Sequence, residues 1–289
     1  MLFSMFKLPP VYFIDRATGK TRQEEIYGEW GLALLYSSPF GRPLRWIFSK
    51  WRWLSRLYGW LQKRPASVKK VQPFIEQFGV DATEFAPAEF KSFNDFFIRK
   101  LKPEVRPIDD AAAVCPADGR YTFWPNVRAS DTFLVKGETF SLAPQYEGGA
   151  MVMARLCPTD YHRFHFPVDG VAGRSTLVDG PLASVNPVAL NHNIEALAKN
   201  KQMITVIETE QLGRVTMIEV GATNVGSIVQ TRGPGPVRRG EEKGYFEFGG
   251  SAVLLLFEPG KIAFADDLIE LSASGLEILC RVGQNLSSQ

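Results

Sequence analysis

The chain has 289 residues, of which 45% are hydrophobic and 22% charged, a composition that buries a core of one large or two ordinary domains and excludes a disordered chain. The 33 Lys and Arg against 31 Asp and Glu leave a net charge of +2, so no global field calls for a polyanionic partner. Cys115, Cys157 and Cys280 are odd in number and far apart, which excludes a Cys-x-x-Cys zinc or redox motif and points to a reducing compartment without a disulfide framework. No run approaches the roughly 18 apolar residues of a spanning helix, and the apolar stretch within residues 1–10 is too short for a secretory signal. A protein neither integral to a membrane nor exported by that route is expected.

The first element carries a local charge excess that the average hides. Between Gly31 and Ile75 there is no acidic residue, while Arg42, Arg45, Lys50, Arg52, Arg56, Lys63, Arg64, Lys69 and Lys70 are all basic. Trp30, Trp46, Trp51, Trp53 and Trp60 fall in or beside the same window, and Leu44, Ile47, Phe48, Trp51, Leu54, Tyr58 and Leu61 recur at helical spacing. Arg45, Arg52 and Arg56 lie mainly on the other side. An apolar, aromatic face flanked by guanidinium groups is the pattern of a helix lying in a membrane interface. The competing reading is an amphipathic helix that packs this face on the core. Tryptophan density and the missing acids favour the membrane, with Arg45, Trp46, Trp51, Arg52, Trp53 and Arg56 as its contacts. Nucleic acid is not an expected partner, because nothing here matches a groove-reading module.

After Pro65 a second helix is predicted over residues 67–78. A third opens at Ser92, where Ser-Phe-Asn-Asp has the form of an N-terminal cap, and its body runs over 93–101 before Pro103. Beyond Pro107 the chain becomes β-rich, with strands predicted over 132–135, 150–155, 203–208, 215–220, 227–231 and 252–257. Residues 232–244, rich in glycine, proline and charge, read as a flexible stretch. The expected fold class is therefore α+β: N-terminal amphipathic helices on a β-rich catalytic body, sandwich or barrel-like. The expected division is a helical, membrane-associating region over 1–105 and a β-rich catalytic domain over 106–289.

Three short motifs carry chemistry. Two of the three histidines, His162 and His165, sit in Asp160-Tyr-His-Arg-Phe-His-Phe-Pro167. On a strand this spacing points them to opposite sides, so the β-like flanks suggest separate roles or a local bulge. A metal site from Asp160, His162 and His165 would need further ligands from unmarked places, and no metal is expected. Asp118 lies in a Pro-Ala-Asp-Gly turn, and Ser251 follows Gly249-Gly250 at the head of an apolar strand. Taken singly, these are an edge histidine, a turn aspartate and a bend. Jointly, Asp118, His165 and Ser251 are the parts of a carboxylate-imidazole-hydroxyl relay, which is recognised by roles rather than chain order.

Over most of its length the sequence resembles the phosphatidylserine decarboxylase proenzymes. The resemblance rests on Phe93-Asn-Asp-Phe-Phe-Ile-Arg-Lys-Leu101 with Arg106-Pro-Ile108, Pro116-Ala-Asp-Gly119, Tyr161-His-Arg-Phe-His165, Ser184-Val-Asn186, Val220-Gly-Ala-Thr223, and Gly244-Tyr-Phe-Glu-Phe-Gly-Gly-Ser251 leading into Phe257-Glu-Pro-Gly-Lys261. It implies autocatalytic cleavage between Gly250 and Ser251 into chains 1–250 and 251–289, with conversion of Ser251 into a covalent pyruvoyl group. This group would replace any external cofactor in decarboxylating phosphatidylserine to phosphatidylethanolamine. By the same resemblance His165 deprotonates Ser251, Asp118 orients His165, and His162 handles protons during decarboxylation. The implied partners are phosphatidylserine in anionic membranes, the two cleavage chains for each other, and a second copy in a homodimer. The implied location is peripheral, on the cytoplasmic face of the cell membrane.

Two departures from the family pattern stand out: Ala252 follows the serine where the family most often has Thr, and residues 191–202 lack an arginine common in relatives, with Gln202 near its place. Two further readings compete with this one. One is a lipid-acting serine hydrolase using Asp118, His165 and Ser251, although the sequence lacks a Gly-x-Ser-x-Gly elbow. The other is a non-catalytic membrane-binding β-domain.

Overall fold

A computed structural model describes residues 8–29, 31, 33, 52–127, 146–182, 199–222, 227–249 and 251–288, with the side chains of residues 52–56 outside the described set. The strand expected over 132–135, Arg45, Trp46, Trp51 and Gly250 lie outside the described residues.

The body is a large open sheet. The longest apolar runs of the sequence form its centre, β13 (Ser251–Phe257) between β4 (Ala150–Leu156) and β9 (Arg214–Gly221). Every residue of β13 and β4 is buried. Val253, Leu255 and Phe257 face a core shared with Phe164 and Phe246, while Ala252, Leu254 and Leu256 face a second cluster with Met151, Met153, Ile218 and Val220. A strand enclosed on both faces has no polar side to alternate with, which is why it reads as a continuous apolar run.

On one side the sheet continues from β9 through β8 (Gln202–Glu208) and β6 (Gly170–Ala172) to β11 (Gly235–Val237), with β7 (Thr176–Val178) also paired to β8. On the other it runs from β4 through β3 (Gly119–Trp124), β14 (Glu277–Cys280) and β1 (Tyr12–Asp15) to β2 (Lys20–Gln23). The ends of this order, β11 and β2, do not pair, so the body is not a closed barrel. β1 and β2, which precede residue 106, belong to this sheet, and β1 pairs in parallel with β14. A smaller sheet, β10 (Ile228–Gln230), β12 (Glu242–Phe246) and β5 (Arg163–His165), contributes Phe164 and Phe246 to the shared core. β11 and β12 occupy the stretch that composition marked as flexible. Its glycines serve close packing, since a Cβ on Gly244 would lie 2.1 Å from the Val229 carbonyl.

The second and third predicted helices are shorter than their sequence signals suggest. Helix α1 spans Arg52–Lys63. Pro65 opens a 3-10 turn over Pro65–Lys70, after which α2 covers Val71–Phe78 and ends at Gly79 with φ of 60°. Ser92 caps α3 (Phe93–Phe97) by accepting the Asp95 N–H at 3.1 Å, as its sequence signature indicates. This helix stops at Phe97, short of the expected Leu101, because the following backbone is drawn into extended pairing with residues 84–86. Helix α4 (Asp266–Ser272) lies between β13 and β14 in the chain. Phe93, Phe96 and Phe97 of α3 form an aromatic cluster with Phe74, Tyr58 and Phe248, and this cluster brings the helical part against the end of the β12–β13 connection.

Between the sheets lies a buried ion pair. Lys243 Nζ donates to Glu219 at 2.8 and 3.0 Å and to Gln230 at 2.7 Å, and packs over the rings of Phe164 and Phe166. Burial raises the Glu219 carboxyl above its ordinary value despite the ammonium. Replacing Lys243 by Met strands that carboxylate, and should lower the unfolding free energy by about 3–5 kcal/mol. Adding Glu219→Gln should recover much of the loss in denaturant titrations.

Candidate active site

Ser251 starts β13, paired to Leu156 on one side and Gly221 on the other, and is fully buried. The strand that precedes it in space, β4, ends in a turn that carries the first histidine. In this turn the Asp160 carboxylate accepts the Cys157 N–H at 2.7 Å and is held by Arg120 at 2.5 and 2.7 Å. The Cys157 carbonyl accepts the Asp160 N–H and also lies 2.9 Å from His162 Nε2. A carbonyl only accepts, so the proton sits on Nε2 and His162 Nδ1 keeps its lone pair. That nitrogen faces Ser251 Oγ at 3.4 Å. The imidazole is fully buried and stacks on Phe97 with ring centres 3.8 Å apart.

The second histidine is placed differently. His165 ends β5, its N–H donates to the Pro116 carbonyl at 2.8 Å, and its ring stacks on Tyr161. Its buried Nδ1 has no hydrogen-bond partner among the described residues. Asp118, in the loop before β3, accepts three bonds of 2.6–3.0 Å from Arg106 and one of 2.8 Å from the Val282 N–H. Glu84 shares the same guanidinium. Among the described residues no hydrogen bond joins His165 to Asp118 or to Ser251. The two histidines therefore do have separate surroundings, and the structure brings Ser251 together with His162.

Both imidazoles are held neutral. Burial pulls His162 down to about 3, an effect only partly opposed by the Cys157 carbonyl, and Arg99 adds to the depression. Burial likewise brings His165 to about 4, against the carboxylates of Glu242 and Asp118. Arg99 is itself buried, donating to the carbonyls of Thr159 and Asp160 at 3.0 Å, and burial pulls its guanidinium down to about 10. Arg99, Arg106, Phe97 and Cys157 were not singled out by sequence chemistry. The first three lie within the motifs quoted above, but their partners are remote in the chain.

A neutral imidazole facing a buried hydroxyl is the pairing that a hydroxyl nucleophile and its base require. The comparisons agree in kind. The family model for phosphatidylserine decarboxylase matches residues 93–286, from α3 to beyond β14. The phosphatidylserine decarboxylase proenzyme of Chlamydia muridarum (strain MoPn / Nigg) is 44% identical over 291 residues, covering 96% of this chain and 97% of its own length. The proenzymes of Chlamydia pneumoniae and Chlamydia trachomatis serovar L2 are 45% and 42% identical over 95% and 96% of this chain, and over 96% and 97% of their own. The chain belongs to the phosphatidylserine decarboxylase family and is an enzyme of that type.

The depressed histidines set a sign for stability. Below pH 6.5 the unfolded chain takes up protons that the folded chain refuses until about pH 4 for His165 and about pH 3 for His162. Their contribution is complete above 6.5 and declines as the pH falls through that window. Denaturant titrations between pH 7 and 4 should show this loss, and His162→Gln should flatten it.

Proposed function

We propose that the chain matures by cutting itself between Gly250 and Ser251, and that the pyruvoyl enzyme so formed decarboxylates phosphatidylserine. The observation that carries this reading is a fully buried serine, two-sided in a central strand, directly after a loop in which Gly249 takes a positive φ. In the first step Ser251 Oγ yields its proton to a base and attacks the Gly250 carbonyl carbon. The Gly250–Ser251 amide bond breaks as the nitrogen takes up a proton, leaving an ester. Removal of the Ser251 Cα proton then expels the Gly250 carboxylate from Cβ, and water releases ammonia from the remaining residue to leave a ketone. The group fits the site because it is built from Ser251's own Cα and Cβ, whose surroundings are already closed. Once formed, it supplies an electron-withdrawing carbonyl that binds the substrate amine and takes up the electron pair left by departing carbon dioxide.

The two histidines divide the proton transfers. His165, whose Nδ1 is without a described partner, serves as base for cleavage, supported by Asp118 as the resemblance implies. His162, beside the atoms that become the reactive centre, serves decarboxylation. The 3.4 Å contact favours a second reading in which His162 takes the Ser251 proton directly.

Denaturing gels and intact mass separate these. Wild type should give pieces 1–250 and 251–289, the latter with a blocked N-terminus, and Ser251→Ala should stay whole. His165→Ala and Asp118→Ala should block cleavage, whereas His162→Ala should cleave at least partly but decarboxylate poorly. Cleavage lost with His162 and retained without His165 would select the second reading. An intact wild type that still decarboxylates would remove the pyruvoyl mechanism, whereas an intact chain that labels with an active-site serine probe and hydrolyses lipid without releasing carbon dioxide would point to the serine hydrolase alternative.

Substrate of this kind presents its head at a bilayer surface, and the segment around α1 is proposed to dock there, on the cytoplasmic face. Leu57, Trp60 and Leu61 of α1 are exposed, and Arg64 lies over the Trp60 ring. No helix among the described residues is long and apolar enough to cross a membrane. A homodimer is part of the same proposal.

Each basic residue near an anionic surface contributes about 1 kcal/mol, screened by salt. Arg45, Arg52 and Arg56 changed together to Glu should weaken sedimentation with anionic vesicles strongly at low salt and less at high salt. Trp46, Trp51 and Trp53 changed to Ala should weaken it at both, because burial is not screened. Self-cleavage should survive either change.

A further inference from the structure

The scissile bond lies between two fixed ends. Downstream, Ser251 is locked by pairing to Leu156 and Gly221. Upstream, the chain leaves β12 with the Phe246 N–H donated to the His162 carbonyl at 2.9 Å. Two residues later, the Phe248 N–H is taken by Oδ1 of Asn94 at 2.9 Å. Asn94 is buried in α3, and the Phe248 ring beside it packs against Phe93 and Phe97 at 5.3 and 5.0 Å. Gly249 then takes φ of 144°, a conformation a side chain would resist. Only Gly249 and Gly250 separate the anchored Phe248 amide from Ser251.

We propose that Asn94 is a positioning residue for self-cleavage: by holding the Phe248 amide it fixes the upstream end of the scissile loop, so that the carbonyl of Gly250 is delivered to Ser251 Oγ. The inference rests on the self-cleavage reading above. Both partners are buried, so bulk solvent does not compete for this hydrogen bond, and its loss frees an amide in the one loop that must be held against a nucleophile. After cleavage the same loop is the free end of the larger chain. The constraint then has nothing left to deliver, and Asn94 ceases to matter to the reaction.

The test follows the full 289-residue chain from synthesis, on denaturing gels, for wild type, Asn94→Ala and Asn94→Asp. Asn94→Ala should lengthen the half-time of cleavage about tenfold, the scale set by one buried hydrogen bond. Asn94→Asp keeps an acceptor oxygen and should stay within about threefold of wild type. The cleaved fraction of Asn94→Ala should decarboxylate phosphatidylserine in detergent micelles with wild-type kcat and KM, a split that a general packing defect would not produce. Wild-type cleavage rate in Asn94→Ala, an Asp variant as slow as the Ala variant, or a cleaved Ala enzyme with reduced kcat would each overturn the proposal. So would an Ala variant that fails to fold, because the role claimed is confined to one loop. A wild-type chain that never cleaves would instead sink the self-cleavage reading itself, a result distinguishable on the same gel.

Discussion

Ser251 sits where a strand hydrogen-bonded on both edges and buried on both faces gives way to a glycine-bearing loop, and that junction constrains the rest of the molecule. The strand cannot shift without breaking two ladders and moving its alternating side chains to the wrong core. Its first residue is therefore held rigidly, while the loop before it is held at discrete points. The segment from Ser251 onward also supplies β14, inserted between β3 and β1. In the proposed processing each chain thus keeps strands flanked by those of the other, and the covalent break leaves the sheet pairing in place.

Charge organises the loops that meet this strand. Arg106 joins Asp118 to Glu84, Arg120 holds Asp160 in the turn below His162, and Arg155 bridges Glu24 and Glu277. Pairs so far from water add little net stability, yet breaking one leaves a stranded charge. Their effect is to make alternative loop positions costly. Gly119 admits this arrangement at the base of the Asp118 turn, since a Cβ there would lie 2.7 Å from the Arg155 carbonyl.

The helical part has two sides that a single amphipathic face does not describe. Tyr58 of α1 packs on Phe248, beside the scissile loop, whereas Leu57, Trp60 and Leu61 remain exposed. One side of the helix thus belongs to the body. The other carries the exposed residues proposed to dock, and an aromatic cluster of α1, α2 and α3 connects it to the loop before Ser251.

The sequence alone determined the elements whose signal is local. The apolar run at 252–257, the strands at 150–155 and 215–220, and the Ser92 cap are legible because periodicity and capping depend on near neighbours. Ser251 and both histidines were singled out as site candidates by motif resemblance. Short strands such as β5, β11 and β12 were not, since three to five residues carry too little pattern and their glycines imitate a linker. Which histidine faces Ser251, which group holds Asp118, and that Asn94 bonds the Phe248 amide while Phe97 stacks on His162 were decided only by tertiary structure. Those contacts join residues 12 to 164 positions apart, and no local rule relates side chains whose proximity is created by sheet order and core packing.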